Sequence, residues 1–144
     1  MLENQHAKPS PADEALAFEL LRSAKTVAVV GISEKENRDS HRVAKYLKDH
    51  GYKIIPVNPK LQELLGEPCY PDLKSVPDHI DVVDIFRSTD AIPGIVDEAI
   101  AVGAGSVWMQ LGLAHDEAAA KARKAGLAVV MNRCMKIEHA RLPG

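Results

Sequence analysis

Short apolar runs that alternate with amphipathic segments are the feature that most restricts the fold of this chain. The runs are rich in β-branched residues and are too short to be helices. There are five of them: TVAVVG (26–31), YKIIPV (52–57), DVVDIF (81–86), SVWMQ (106–110) and LAVVM (127–131). Because nearly continuous apolar runs are typical of strands buried on both faces, the sequence predicts a parallel sheet between two layers of helices, an α/β fold.

The segments between these strands have the spacing that helices require. Apolar residues at helical spacing predict helices over residues 40–51, 88–105 and 115–126, each with a glycine near its C-terminal end. Another helix is predicted before the first strand, with Ser10 as its N-cap and Pro11 at its first position. Residues 61–80 are rich in turn formers, so only one or two short helical turns are expected there.

Chain length and the handedness of crossovers narrow the topology further. With 144 residues there is room for one domain. Right-handed crossovers predict a single Rossmann-like, doubly wound sheet of five strands in the order 3-2-1-4-5, with an N-terminal helix. We expect residues 1–9 to be disordered and residues 10–144 to form the domain.

Charge and the pattern of polar residues exclude several classes of protein. A net charge of −2 gives no general attraction to nucleic acid or to an anionic membrane. The two cysteines and six histidines have no metal-ligand spacing, so no metal site is predicted. The sequence has no signal-peptide pattern and no long apolar run, and we expect a cytoplasmic protein.

The first loop after a strand is a candidate phosphate site. In doubly wound sheets ligands bind beyond the carboxyl ends of the strands. The loop GISEKENRDSH begins with Gly31 but lacks the GxGxxG pattern, and Ser40 is the predicted N-cap of the helix that follows. Free amides at that helix start, assisted by Arg38, can hold a phosphate. The alternative is that Ser40 only caps the helix and that Arg38 is a solvated charge.

The residues after the second strand suggest the kind of nucleotide. A dinucleotide site often places an acid there, which binds the two free hydroxyls of a ribose. This chain has Asn58, Pro59 and Lys60 instead. A lysine suits a phosphorylated ribose, as found in NADP and in coenzyme A (CoA). The alternative is an ordinary surface lysine after a turn.

Three further residues near the strand ends have more than one interpretation. Arg87 is a second cation at the same edge, or the partner of a loop acid in a salt bridge. Asp84 falls inside a strand that should be buried on both faces, and a structural brace is favoured over a proton carrier. Cys134 follows the last strand, where a packed or ligand-lining thiol is favoured over a nucleophile. No complete catalytic set is evident, so a non-enzymatic protein is predicted.

Several motifs together resemble a known family. They are VAVVGIS, AKYLKDHGYKIIPVNPK, GEPCYPDL, DVVDIFR, WMQLGL and NRCMKIEH. As a set they are similar to the small stand-alone CoA-binding proteins of bacteria and archaea. These proteins are similar in turn to the N-terminal CoA-binding domain of the succinyl-CoA synthetase α subunit. The resemblance covers residues 14–142 and implies a Rossmann-like domain that binds CoA or an acyl-CoA.

The resemblance also implies where the parts of CoA lie. The pyrophosphate end falls at Gly31, Ile32 and Ser33, with Arg38 and Ser40 nearby. The adenosine 3′-phosphate end falls at Val57, Asn58, Pro59 and Lys60. The groove between them is lined by Phe86, Arg87, Ser88, Met109 and Gln110, and Cys134 falls where the synthetase has the stretch PNCPG.

This chain departs from the family pattern in two respects. The phosphorylated histidine of the synthetase lies in a later domain, and nothing in this chain replaces it, so ligase activity is not implied. Many relatives have Asp-Arg-Cys where this chain has Asn132-Arg133-Cys134, which puts a carboxylate role at position 132 in doubt.

Three functional hypotheses follow from these observations. The first is a binding module for CoA or an acyl-CoA. The second is an NADP-linked oxidoreductase, which the missing GxGxxG and the lack of room for a substrate domain disfavour. The third is a redox sensor that forms a CoA mixed disulfide at Cys134. A small-molecule ligand is the expected partner, and the apolar sheet edges are compatible with a homodimer.

Overall fold

A five-stranded parallel sheet forms the centre of the protein in a computed structural model that describes residues 11–143. The predicted disorder of residues 1–9 and the N-cap role of Ser10 concern positions outside the described residues. The strands are β1 (Thr26–Val30), β2 (Lys53–Val57), β3 (Glu63–Leu64), β4 (Glu67–Pro68), β5 (Val82–Ile85), β6 (Ser106–Met109) and β7 (Ala128–Val130). The α-helices are α1 (Pro11–Ser23), α2 (Asp39–Asp49), α3 (Ile92–Ala101), α4 (Asp116–Lys124) and α5 (Met135–Ala140).

The predicted fold class is confirmed, and so are the five strands of the sheet and the four helices predicted for residues 10–126. Two elements were missed. One is a hairpin of β3 and β4, whose turn at Leu65 and Gly66 has positive φ at both positions, 54° and 75°. The other is α5, which has six residues. The turn-rich segment contains one 3₁₀ turn, Leu73–Ser75, as expected.

The order of the strands requires a correction. The sheet runs β2-β1-β5-β6-β7, so the strand predicted to be third, residues 81–86, lies beside β1 and not beside β2. The place next to β2 holds only a single parallel bridge between Val57 and Tyr70. The Rossmann order 3-2-1-4-5 therefore describes this sheet when Tyr70 is counted as a rudimentary third strand, with β7 added after the fifth.

Proline in β2 explains why no full strand pairs there. Tyr70 N–H donates to the Pro56 carbonyl at 3.0 Å, so the backbone of Pro56 faces away from β1. A parallel neighbour on that side would need an N–H donor at position 56, which proline lacks. The motif KIIPV thus marks β2 as an edge strand, a signal that the sequence analysis did not use.

Apolar side chains of the sheet alternate between two cores. In β1, Ala28 and Val30 pack with the helices α3 and α4, whereas Val27 and Val29 pack with α1, α2 and α5. This alternation is what a strand buried on both faces requires. No helix within residues 11–143 is long and apolar enough to cross a membrane.

Candidate functional site

Backbone hydrogen bonds bring the loops after the strands together at the carboxyl edge of the sheet. Gly31 N–H donates to the Val57 carbonyl at 3.0 Å, and Phe86 N–H donates to the Val30 carbonyl at 2.9 Å. Arg133 N–H makes a longer contact of 3.4 Å with the Met109 carbonyl. The predicted site residues of five separate strand ends therefore lie along one edge.

The turn at Gly31 brings two loops of this edge into close contact. Its φ is +88°, a conformation that side chains with a Cβ rarely adopt. A Cβ at this position would overlap the carbonyl oxygen of Phe86 and lie 2.6 Å from Cδ of Arg87. Only glycine lets the first loop approach the loop after β5 so closely.

The first loop closes through Ser40, and one prediction about this residue is wrong. The helix α2 begins at Asp39, and Arg38, whose backbone is extended, is its N-cap. Ser40 lies inside the first turn, where its Oγ accepts a hydrogen bond from Ser33 N–H at 2.9 Å. His41 adds a bond from its Nδ1 to the Ser33 carbonyl at 2.9 Å. The serine therefore holds the loop against the helix and does not cap it.

A cleft of about 350 Å³ opens above this turn and is called the loop cleft below. Gly31, Ser33, Arg38, Ser40 and Phe86 contribute to its lining. The first intrahelical bond of α2 runs from Arg42 N–H to the Arg38 carbonyl at 3.1 Å, so the amides before Arg42 precede the hydrogen-bonded ladder. The cleft thus combines a helix N-terminus with a solvent-exposed arginine, which are features of an anion site.

Asn58 fixes the loop after β2. Its Nδ2 donates to the Ile32 carbonyl at 2.8 Å, and its Oδ1 accepts from Lys60 N–H at 2.8 Å. Both ends of the amide are therefore used inside the protein, and Asn58 positions its neighbours. Lys60 is exposed, and no ion pair is recorded for its ammonium among the described residues.

Arg87 connects the two sides of the edge. No salt bridge or hydrogen bond is recorded for its guanidinium within residues 11–143, so the structure does not show the loop-acid partner considered as the alternative. It borders a small cavity of about 110 Å³, the side cavity, together with Val57 and Pro59. It also borders a much larger cavity on its other side. An exposed arginine without a partner at a groove is free to bind an anion.

The large cavity, of about 500 Å³, lies between the ends of β5 and β6 and the helices α2 and α5. Phe86 is shared with the loop cleft, and Arg87 is shared with the side cavity. The large cavity therefore adjoins each of the other two at a shared side chain, and the three cavities along the carboxyl edge, from β2 to α5, are together called the groove below. Its apolar lining consists of Val43, Phe86, Leu111, Leu113, Cys134 and Ile137.

The other predicted site residues take different positions. The side chains of Ile32 and Met109 are fully buried in the two cores, so only their backbone groups are near the groove. Gln110 lines the large cavity, and its Oε1 accepts from Met135 N–H at 3.2 Å. Cys134, 9% exposed, lines the same cavity. Ser88 is exposed and precedes a 3₁₀ turn, Thr89–Ala91.

Sequence reasoning missed several residues of the large cavity. Lys136 and Ile137 belong to α5, a helix that was not predicted, and Arg42 and Val43 follow the loop residues that were chosen. Leu111 and Leu113 lie two and four residues after the end of β6. The resemblance had included WMQLGL and NRCMKIEH, so the signal was present in the motifs but was not assigned to a cavity.

Asp84 is buried within the sheet and lacks the partners that were expected. Both carboxylate oxygens are without a hydrogen bond in the part of the chain that the structure describes, so the protein contacts that a brace would need are not seen there. Its register neighbours are Val29 on β1 and Trp108 on β6. Burial raises the pKa of the Asp84 carboxyl well above its ordinary value, which favours the protonated form.

Asn132 has a structural role in the loop that follows β7. Its φ is +58°, a left-handed conformation that asparagine tolerates better than most residues. Its Oδ1 accepts from Gly112 N–H at 2.7 Å, and its own N–H donates to the Leu113 carbonyl at 2.9 Å. Asn132 therefore holds the loop after β6, which carries part of the large cavity.

Potential metal ligands do not gather at this edge. Within residues 11–143, no group of three or more histidine, cysteine, aspartate or glutamate side chains is arranged to hold a metal ion. Asp39, Asp72 and Glu98 also line these cavities, and each accepts a hydrogen bond from another residue of the chain. The cations, amides and hydroxyls beside them suit a phosphorylated ligand.

Comparison with known proteins shows a family match over most of the chain. Residues 25–140 match the profile of a family described as "CoA binding domain". The uncharacterized protein YneT of Bacillus subtilis is 40% identical over 122 residues, which are 85% of this chain and 90% of that protein. The solved structure of a hypothetical protein from Pyrococcus horikoshii OT3 has a TM-score of 0.89 and 44% identity, and the match covers 95% of this chain and 99% of that one.

A larger enzyme contains a related segment. ADP-forming acetate–CoA ligase I of Archaeoglobus fulgidus is 35% identical over 81 residues. The match covers 56% of this chain but only 12% of the ligase. The similarity therefore concerns one segment of the ligase, and it does not transfer the activity of the whole enzyme to this chain.

Proposed function

Because the chain belongs to the CoA binding domain family, we propose that it binds coenzyme A in the groove at the carboxyl edge of its sheet, as a binding module without chemistry of its own. The observation that carries this proposal is the row of adjoining cavities at this edge. The large cavity shares Phe86 with the loop cleft and Arg87 with the side cavity, and the three lie along the strand ends. A long ligand with a phosphorylated nucleotide at one end and an extended arm at the other fits such a shape.

The charges along the groove support one direction for the ligand. The adenosine 3′-phosphate lies near Lys60, where the exposed ammonium follows β2. The pyrophosphate lies in the loop cleft, against the start of α2 and Arg38. The pantetheine arm then passes Phe86 into the large cavity. Arg87 lies between the two ends of the groove, where its positive charge can neutralise a phosphate of the ligand.

The absence of chemistry is supported by what the groove residues do. Gln110 is held by the backbone of Met135, and Ser40 is held by the backbone of Ser33. Neither side chain is paired with a nucleophile. Cys134 has no base hydrogen-bonded to its thiol within residues 11–143. A nucleophile, base and orienting group in mutual contact are therefore not assembled there.

Calorimetry with matched nucleotides tests this proposal. We expect CoA to bind and 3′-dephospho-CoA to bind about tenfold more weakly, since the latter lacks the phosphate that pairs with Lys60. Lys60→Ala should bind both ligands with equal affinity. Lys124→Ala, which removes an exposed lysine near the end of α4, is the control and should keep the difference.

Three results would contradict the proposal. An absence of heat with CoA rejects CoA binding. Equal affinities for CoA and 3′-dephospho-CoA in the unmodified protein reject the role of Lys60. NADP binding as tight as CoA binding would favour the oxidoreductase-like alternative, because the 2′-phosphate of NADP would then satisfy the same lysine.

A further inference from the structure

We propose that the large cavity holds the acyl chain of a CoA thioester, so that the preferred ligand is a CoA ester of an uncharged short or medium chain and not free CoA. The inference rests on the proposed function, since it extends the same ligand by one group. It assigns the acyl chain to the end of the groove that the nucleotide does not reach.

Exposed apolar residues converge on this cavity. Leu111 is 63% exposed and Ile137 is 49% exposed, and they are the exposed large hydrophobic residues within the described chain. Both line the large cavity. A single exposed apolar side chain needs no explanation, but two of them beside the same cavity indicate a surface that an apolar group covers.

The strand order places this apolar surface at the end of the groove farthest from Lys60. The sheet runs from β2 through β1 and β5 to β6 and β7. Lys60 follows β2, whereas Leu111 and Leu113 follow β6, and Ile137 lies on α5 after β7. A CoA molecule with its phosphates at β2 and β1 therefore directs its thiol end toward these three side chains.

The size and polarity of the cavity suit an arm that ends in an alkyl chain. A volume of about 500 Å³ lies within the range of cavities that bind small ligands. Gln110 is the polar uncharged residue of the lining and can meet an amide of the pantetheine arm. The remaining uncharged lining is apolar, which favours methylene groups over further amides.

Two of the three cations of the cavity already have contacts within the protein. Arg42 is already paired with Asp39 at 2.7 Å. Lys136 lies over the ring of Tyr46, with its Nζ 5.6 Å from the ring centroid. Arg87 is the remaining cation, and it stands on the side shared with the nucleotide end of the groove.

A chain-length series tests the inference by calorimetry. The ligands are CoA, acetyl-CoA, butyryl-CoA and hexanoyl-CoA, with succinyl-CoA as the charged counterpart of butyryl-CoA. Each methylene that enters the cavity should lower Kd by about fourfold, so hexanoyl-CoA should bind about 15-fold more tightly than butyryl-CoA. Succinyl-CoA should bind more weakly than butyryl-CoA.

Two variants connect the series to the cavity. Ile137→Ser should reduce the ratio of hexanoyl-CoA affinity to CoA affinity within the same variant, because it removes an apolar contact of the chain. Ile100→Ser is the matched control, since Ile100 is a partly buried residue of α3 that packs with the opposite core. The ratio should keep its unmodified value in the control.

The possible failures can be told apart. If CoA binds but Kd does not change with chain length, the acyl-chain inference is overturned and the proposed function stands. If neither CoA nor any ester binds, both are rejected. If Ile137→Ser converts a dimer to a monomer in sedimentation and leaves the affinity ratio unchanged, a second copy of the chain covers these residues, and the inference is overturned.

Discussion

At the scale of single residues, Gly31 shows how one backbone position shapes the groove. Its positive φ and the short distance to the loop after β5 impose two separate requirements. Gly126 has a similar φ, +95°, but a Cβ there would meet nothing within 4 Å. The two glycines therefore allow the cost of the conformation to be separated from the cost of the close approach.

Substitution of these glycines should give unequal losses of stability. Gly126→Ala should lower the free energy of unfolding by about 1–2 kcal/mol, the cost of a left-handed conformation for a residue with a Cβ. Gly31→Ala should lose more, because the new methyl group also displaces Phe86 and Arg87. Urea denaturation measures both values. Equal losses would show that the first loop tolerates a side chain at position 31.

Asp84 is the basis of a second prediction at this scale, which concerns the pH dependence of stability. Burial raises the pKa of its carboxyl in the folded protein above the ordinary value of 3.8. Below that value both the folded and the unfolded chain hold the proton, and the residue has no pH-dependent effect. As the pH rises above it, the unfolded chain releases the proton first, so stability falls by about 1.4 kcal/mol per pH unit until the folded pKa is reached.

Asp84→Val should therefore gain stability relative to the unmodified protein as the pH rises. Denaturation at about pH 5, 6 and 7 should show a widening difference, at most about 1.4 kcal/mol per unit. Asp84→Asn is the control, because it stays polar but does not titrate and should share the flatter pH profile. A constant difference between the unmodified protein and both variants would contradict the raised pKa.

At the scale of secondary structure elements, α5 carries part of the large cavity although it has only six residues. It is anchored by a buried ion pair between Arg133 and Glu138, at 2.8 Å, with both side chains less than a tenth exposed. Arg141 also contacts Glu138, at 2.8 Å, and extends the network to Glu14 on α1. The anchor explains how a short helix keeps Cys134 and Ile137 in place.

Removal of the anchor should destabilise the protein. Glu138→Gln leaves the Arg133 guanidinium buried without a countercharge, and we expect a loss of about 3 kcal/mol. Glu117→Gln is the control, because Glu117 is exposed in the first turn of α4. Denaturation measures both changes. A loss similar to that of the control would show that the buried pair does not hold α5.

The elements also show what the sequence could and could not predict. Strands of β-branched residues and helices with clear spacing were predictable because their patterns are local. The helix α5 was not, since MKIEHA is too short to show a helical period and its contacts with α1, such as the pair of Arg141 with Glu14, form only in the folded chain. The place of β5 beside β1 depends on long-range pairing and could not be predicted from local patterns. Pro56 was a local sign that β2 is an edge strand.

For the site, position along the chain was informative and side-chain direction was not. The strand-end rule brought Gly31, Arg87 and Cys134 to one edge. It could not show that Met109 is turned into the core, or that Ser40 closes the loop from inside the helix. The apolar end of the groove stayed hidden because its residues come from four elements that meet only in the folded chain.

At the scale of the whole molecule, the groove lies along one edge of the central sheet. CoA should stabilise the folded protein, because a ligand that binds only the folded state adds RT ln(1 + [L]/Kd) to its stability. The melting temperature should therefore rise with CoA concentration above Kd. Gly31→Ala should show a smaller rise than Gly126→Ala at the same concentration, since only the first distorts the groove.

A titration of isotope-labelled protein with CoA, followed in ¹H–¹⁵N spectra, tests the central claim most directly. If CoA binds in the groove, the amides of residues 31–41, 86–88 and 110–113 and those of Asn58 and Lys60 should shift together. Amides at the opposite edge, such as Gly51, Gly103 and Gly126, should stay unchanged. An unchanged spectrum at saturating CoA, or shifts confined to the opposite edge, would contradict the claim that this groove binds CoA.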